Sequence, residues 1–209
     1  GAIEDIENSN FNEAIYKIQN ITSEYPNYYL GHYLTGVALV GTDRSDDAII
    51  SFNRAYSLNN YDFESLASLG QIYFNKSQKY FDEFEAKRSN EYFKKALLLN
   101  KNCYSYYFYM GLNNLQTNDI TGAIDCFNKA LALKDNDYNS IYYKSIALYL
   151  NGNYSETLKT NKILITKNVS NINSVLYLNA LAHYKSGKND LALADLAKIS
   201  ENINDEYNT

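Results

Sequence analysis

Apolar residues along this chain fall at spacings of three and four, in short blocks separated by polar breaks. Leu34, Gly36, Val37 and Leu39 form one block, and Ala48, Ile49, Phe52, Ala55 and Leu58 form the next. Such spacing places the side chains on one stripe of a helix. The blocks predict helices from Tyr29 to Gly41 and from Asp46 to Leu58. Asp43, Arg44 and Ser45 make the polar turn between them, and Asn59, Asn60 and Tyr61 the next connection. The whole unit then recurs. Ala14 to Ala48, Gly36 to Gly70, Phe93 to Phe127 and Ala96 to Ala130 are each 34 positions. A fixed interval of this kind marks an array of helix pairs, each burying its apolar stripe against its neighbours.

The recurrent Gly in the first helix costs about 1 kcal/mol relative to Ala. Its repetition points to a close approach of two helices that a side chain would prevent. Gly36, Leu39, Ala48, Phe52 and Ala55 carry the pattern in the first complete unit. Gly70, Tyr73, Phe93 and Ala96 carry it in the second, and Gly111, Ala123, Phe127 and Ala130 in the third. Ser145, Leu148, Tyr154, Thr157 and Leu164 follow it more loosely, and Ala180, His183, Ala192, Leu196 and Ile199 close the series. This succession resembles the tetratricopeptide repeat (TPR) family over almost the whole chain. The resemblance implies an all-α protein, a right-handed α-solenoid of antiparallel helix pairs. The expected organisation is one array over 1–209: a partial repeat over 1–28, repeats over about 29–62, 63–103, 104–137, 138–172 and 173–202, and a tail over 203–209.

Two intervals depart from the rule. Gly70 to Gly111 is 41, so the second complete unit holds seven extra residues. Lengthening both of its helices by about one turn of 3.6 residues keeps the connections short. The first would run from Phe63 to Lys79, and Asp82 with Glu85 would form the capping box of the second. Leu148 to His183 is 35, which places one extra residue in the turn near Asn171. The ends depart too. Only Ala2 to Glu7 precede the first second-helix pattern, and Leu191 to Ile199 is apolar on more than one face. A terminal repeat ordinarily presents a polar outer face. The chain is therefore expected to be a segment of a longer protein or to pack an end on a partner, with self-association through the C-terminal helix.

Composition narrows the function. Charged residues are 21% and the net charge is −5, so no cationic field for nucleic acid exists. No apolar run approaches the roughly 20 residues of a membrane span. Cys103 and Cys126 read as free thiols, which favours a cytoplasmic setting unless a signal peptide has been removed. His32 and His183, the two histidines, read as packing residues. Asp135, Asn136 and Asp137 alternate like the start of a calcium loop but lack its Gly and distal Glu. The glycines Gly41, Gly122, Gly152 and Gly187 stand singly in or near turns. No enzyme activity, cofactor or metal is expected.

In the TPR family the first helix of each pair lines a concave face that holds a partner peptide or helix. The residues between the core positions should face it: Tyr33, Val37 and Val40, then Gln71 and Phe74, then Phe108, Leu112 and Leu115. Tyr142, Ile146 and Tyr149 follow, then Tyr177, Leu181 and Tyr184. Part of this list is expected to pack against neighbouring repeats. Lys144 and Lys185 are the few candidates for a carboxylate clamp, so an apolar or amphipathic segment is the expected ligand. The dense cluster Tyr104, Tyr106, Tyr107, Phe108 and Tyr109 cannot be buried in one seam, and the lengthened hairpin near Tyr80, Phe81 and Phe84 is a second candidate contact surface. The function expected is a protein-interaction scaffold. An assembly subunit, or an accessory domain of a larger protein, stays open as the alternative.

Overall fold

The computed structural model describes residues 1–207, with side chains described as far as Ser200. Every regular element among them is an α-helix. Two compact units divide between Asn102 and Cys103. The first holds α1 (Ala2–Glu7), α2 (Phe11–Glu24), α3 (Tyr29–Gly41), α4 (Ser45–Leu58), α5 (Phe63–Tyr80) and α6 (Glu83–Leu99). The second holds α7 (Tyr104–Gln116), α8 (Ile120–Leu133), α9 (Tyr138–Leu150), α10 (Tyr154–Thr166), α11 (Ile172–Lys185) and α12 (Asn189–Tyr207). Within each unit, helices adjacent in sequence pack on one another. This is an all-α helical-repeat fold. Of the tail expected over 203–209, residues 203–207 continue α12, and 208–209 lie outside the described residues.

One turn geometry closes every helix pair. The residue at the turn takes a left-handed conformation, and the next N–H donates to a carbonyl five residues back. The left-handed residues are Ser9, Asp43, Phe81, Asn118, Gly152 and Gly187. The bonds run from Asn10 to Asp5, Arg44 to Leu39, Asp82 to Ser77, Asp119 to Asn114, Asn153 to Leu148 and Lys188 to His183. This is the Schellman closure, and it satisfies helix carbonyls that would otherwise lack donors.

The repeated glycines are where hairpins close most tightly. A Cβ on Gly36 would lie 2.7 Å from the Phe52 ring, on Gly70 2.8 Å from Phe93, and on Gly111 2.6 Å from Phe127. All three rings are fully buried. Each pair is a flat backbone patch on the first helix with an aromatic ring of the second laid on it. Small residues complete the seams: Ala48 and Ala55 flank Phe52, and Ala123 and Ala130 flank Phe127, all without exposed surface. In the first unit the core joins Ile18, Leu39, Phe52, Leu69 and Tyr73.

The irregular intervals resolve as local adjustments. α5 has 18 residues and α6 has 17, against 13 and 14 for α7 and α8, so the insertion lengthens both helices of one pair. Asp82 caps α6, accepting from the N–H groups of Phe84 and Glu85. The single added residue lies in the connection between α10 and α11, where Asn168 takes a left-handed φ of 47°.

Acidic N-caps recur at Asp62, Asp82, Asp119 and Asp137. Burial pushes the Asp137 carboxyl up. The Ser140 hydroxyl and N–H, together with the Lys134 ammonium, outweigh that and hold it below its ordinary value of 3.8. A depressed folded-state pKa stabilises above the unfolded value and is lost as pH falls through the folded one. Asp137→Ala should therefore destabilise by about 1 kcal/mol at pH 7, a typical capping effect. Urea titrations in acid should show the gap to the parent closing below pH 3.8.

Candidate partner-binding site

None of the residues assigned to the first-helix face is buried. They divide by environment. Tyr33 and Phe108 are half-buried and tilted on the ring of their own hairpin, at 5.8 Å from Phe52 and 6.1 Å from Phe127. They occupy equivalent places in their repeats, so these positions are largely consumed in packing. Val37 joins the core of the first unit. Leu112 and Leu115 join the core of the second around Ala123, Phe127 and Ala147. Gln71 donates to Asn75 at 3.0 Å, Phe74 is half-buried, and Val40 is exposed.

Four of the remaining positions come together in the second unit. Tyr142 and Ile146 of α9, with Tyr177 and Leu181 of α11, line a cavity of about 500 Å³ completed by Asn173, Ser174, Leu178 and Ile199. No charged residue lines it. The helical register explains the convergence: Tyr142 and Ile146 are one turn apart on α9, as are Tyr177 and Leu181 on α11. Tyr142 is also held edge-on by Tyr143 at 5.4 Å. Tyr177 is 54% exposed, so its ring is available. Tyr184 is exposed farther along α11, and Tyr149 meets Tyr154 at 5.5 Å. Lys144 and Lys185 are not among the cavity's lining residues.

Two hairpins of the second unit depart from the repeated Gly–Phe seam. Where the α3/α4 and α7/α8 hairpins carry Gly and Phe, α9 and α10 carry Ser145 and Asn161, at the same separation of 16. The Ser145 hydroxyl donates to the Asn161 side-chain oxygen, and the Asn161 amide donates to Asn179 Oδ1 at 2.8 Å. All three residues are buried. In the last hairpin the ring position falls to Leu196, which is exposed, while Asp195 turns inward to His183 Nδ1 at 3.0 Å and to Lys198 at 3.2 Å. His183 is thus a partly buried partner of a carboxylate, and His32 lies 2.9 Å from the Pro26 carbonyl. Cys126 is buried and Cys103 half-buried, both as free thiols. Among the described residues no group of three His, Cys, Asp or Glu is placed to hold a metal ion. No helix among them is long and apolar enough to cross a membrane.

No family model matches the sequence, and no curated protein is similar to it. Solved structures are similar in fold. MamA matches at a TM-score of 0.74 with 18% identity, over 83% of this chain and 97% of its own. YrrB, described as a TPR protein with an unusual peptide-binding site, matches at 0.76 with 16% identity, over 88% of this chain and 91% of its own. A tetratricopeptide repeat protein from Parabacteroides merdae matches at 0.73 with 18% identity, over 96% of this chain and 76% of its own. The chain has the TPR fold. Its TPR hairpins keep the alternation of small and large residues while sharing fewer than one residue in five with these structures.

Proposed function

We propose that this chain is a non-catalytic protein-interaction scaffold that holds an apolar or amphipathic peptide segment on the first helices of its repeats. The uncharged cavity between α9 and α11 carries this reading. Its rings offer contact area with few side-chain rotations to freeze, and the Tyr hydroxyls can meet a peptide backbone. A carboxylate-gripping site would need cations there, and none lines it. That YrrB is described by a peptide-binding site fits the same use of the fold.

Peptide selection by phage display on the purified chain tests this. Enriched sequences should be apolar or amphipathic rather than acidic at the C-terminus. Tyr142→Ala with Tyr177→Ala should weaken a selected peptide by about 2 kcal/mol or more, roughly thirty-fold, as for aromatic hot spots. Tyr177 is exposed, and Tyr142 is half-buried against Ile141, Leu164 and Val175, so helical circular dichroism of the double variant must match the parent's for the affinity loss to count. Enrichment of acidic C-termini, or affinity unchanged by the double variant, would remove the proposal.

A second reading has its own observation. Tyr177, Leu181, Tyr184, Leu193 and Leu196 line an apolar cavity of about 410 Å³ on the last hairpin. Self-association through α12 would cover it, and an assembly role would follow. Sedimentation equilibrium of the parent against Leu193→Lys decides: a dimer lost in the variant supports this reading.

A further inference from the structure

We propose that the tip of the α5/α6 hairpin is a second docking element, which seats its aromatic rings in an apolar pocket bordered by Lys or Arg on a partner protein. Two independent observations converge there. The first is exposure: Tyr80 is 66% exposed, Phe81 84% and Phe84 67%, at the end of the one pair whose helices are both a turn longer. The second is backbone strain. Phe81 sits at φ 52°, ψ 37°, a left-handed conformation that a bulky side chain disfavours. The other hairpin turns put Ser, Asp, Asn or Gly at this position, residue types that accept it. A phenylalanine here pays the strain and recovers nothing by burial. The turn dictates the conformation; what it does not explain is a bulky exposed ring in it, and strained residues of this kind cluster at ligand-binding and switch sites.

Charge decides the kind of partner. Between Tyr80 and Phe84 the chain carries Asp82 and Glu83 and no cation. Of the neighbouring cations, Lys79 is engaged by the Tyr80 ring at 5.3 Å, and Arg88 lies 4.0 Å from the Tyr73 ring, donates to its hydroxyl and bridges Glu85 at 3.4 Å. An anionic lipid surface would have to take two carboxylates among the entering rings, and a chain of net charge −5 is repelled from it. A protein pocket with a basic rim accommodates both the rings and the carboxylates. The tip shares no residue with the α9/α11 cavity.

The test is site-specific photocrosslinking in the native host. The full chain carries p-benzoylphenylalanine at position 81, with a control at the exposed Ile50 of α4. The expected result is a discrete protein adduct from position 81 and not from 50, with the crosslinked peptide in an apolar pocket flanked by Lys or Arg. The purified partner should then bind Phe81→Gly and Glu83→Lys at least ten-fold more weakly than the parent, and Ile50→Ala, a change at an exposed position of α4, unchanged. The melting temperature of Phe81→Gly should equal or exceed the parent's, because Gly suits this φ. An adduct with lipid or with a second copy of the chain, no adduct above the control, or a lowered melting temperature in Phe81→Gly would overturn the proposal.

Discussion

Truncating Phe127 to Ala should remove about 3–5 kcal/mol from the stability of the 103–209 unit, the cost of emptying a fully buried aromatic site. The loss should sit at the upper end, because one face of the ring rests on backbone. Gly111 presents no side chain that could swing into the space, and Ala123 and Ala130 are already without exposure. The converse change has an unexpected sign. Ala is the better helix former by about 1 kcal/mol, so Gly111→Ala should stabilise an unencumbered helix. Here the new methyl would lie 2.6 Å from the Phe127 ring, and overpacking of this kind costs about 1–3 kcal/mol. Gly111→Ala should therefore destabilise on balance. Joining it to Phe127→Leu should give less loss than the sum of the two, because the smaller side chain yields the space. Urea denaturation of the four proteins, followed by circular dichroism, measures the cycle. Additive losses would mean that Gly111 and Phe127 do not constrain one another.

The same pairs explain why the fold could be read from the residues. A Gly on one helix and a Phe on the next are local requirements of one contact, so their recurrence at intervals of 34, or 41 across the lengthened hairpin, transmits the architecture directly. The lengthened α5/α6 pair was legible for the same reason: seven extra residues in a hairpin that must still close have few places to go. The binding face was less legible. Tyr33 and Phe108 occupy the side of the helix next to the core stripe, and only the tilt of each ring onto Phe52 or Phe127 shows that they serve packing. Tyr142 and Tyr177 have the same sequence character but border open space. The difference lies in what the neighbouring helix supplies, and spacing along one helix does not encode that. The polar substitution at Ser145 and Asn161 did carry a signal, since both stand in register with Gly111 and Phe127. Recognising it requires comparing repeats position by position.

That substitution leads to the second large effect. Asn161→Ala should destabilise by about 1–3 kcal/mol, because it leaves Asn179 Oδ1 buried without its donor. Ser145 suffers less, since a helical Ser can bond back to the carbonyl four residues earlier. Replacing the group as a whole should behave differently. Met110, Gly111 and Phe127 stand in the third complete repeat where Asn179, Ser145 and Asn161 stand in the fourth and fifth. The triple variant Ser145→Gly, Asn161→Phe, Asn179→Met restores an apolar seam with every polar atom removed together. Removing every buried polar atom of the network together avoids the unsatisfied-group penalty, and Ser145→Gly vacates space for the ring added at position 161, as Gly111 does for Phe127. The triple variant should therefore lie within about 1 kcal/mol of the parent or above it, while the single variant lies well below. If the triple variant falls as far as Asn161→Ala, apolar packing cannot replace the network. Amide hydrogen exchange then distinguishes the reason. Loss of protection in α11 and α12 alone would mean that the Asn161–Asn179 bond holds the last hairpin in register. Loss throughout α7 to α12 would mean that the Phe ring does not fit between α9 and α10.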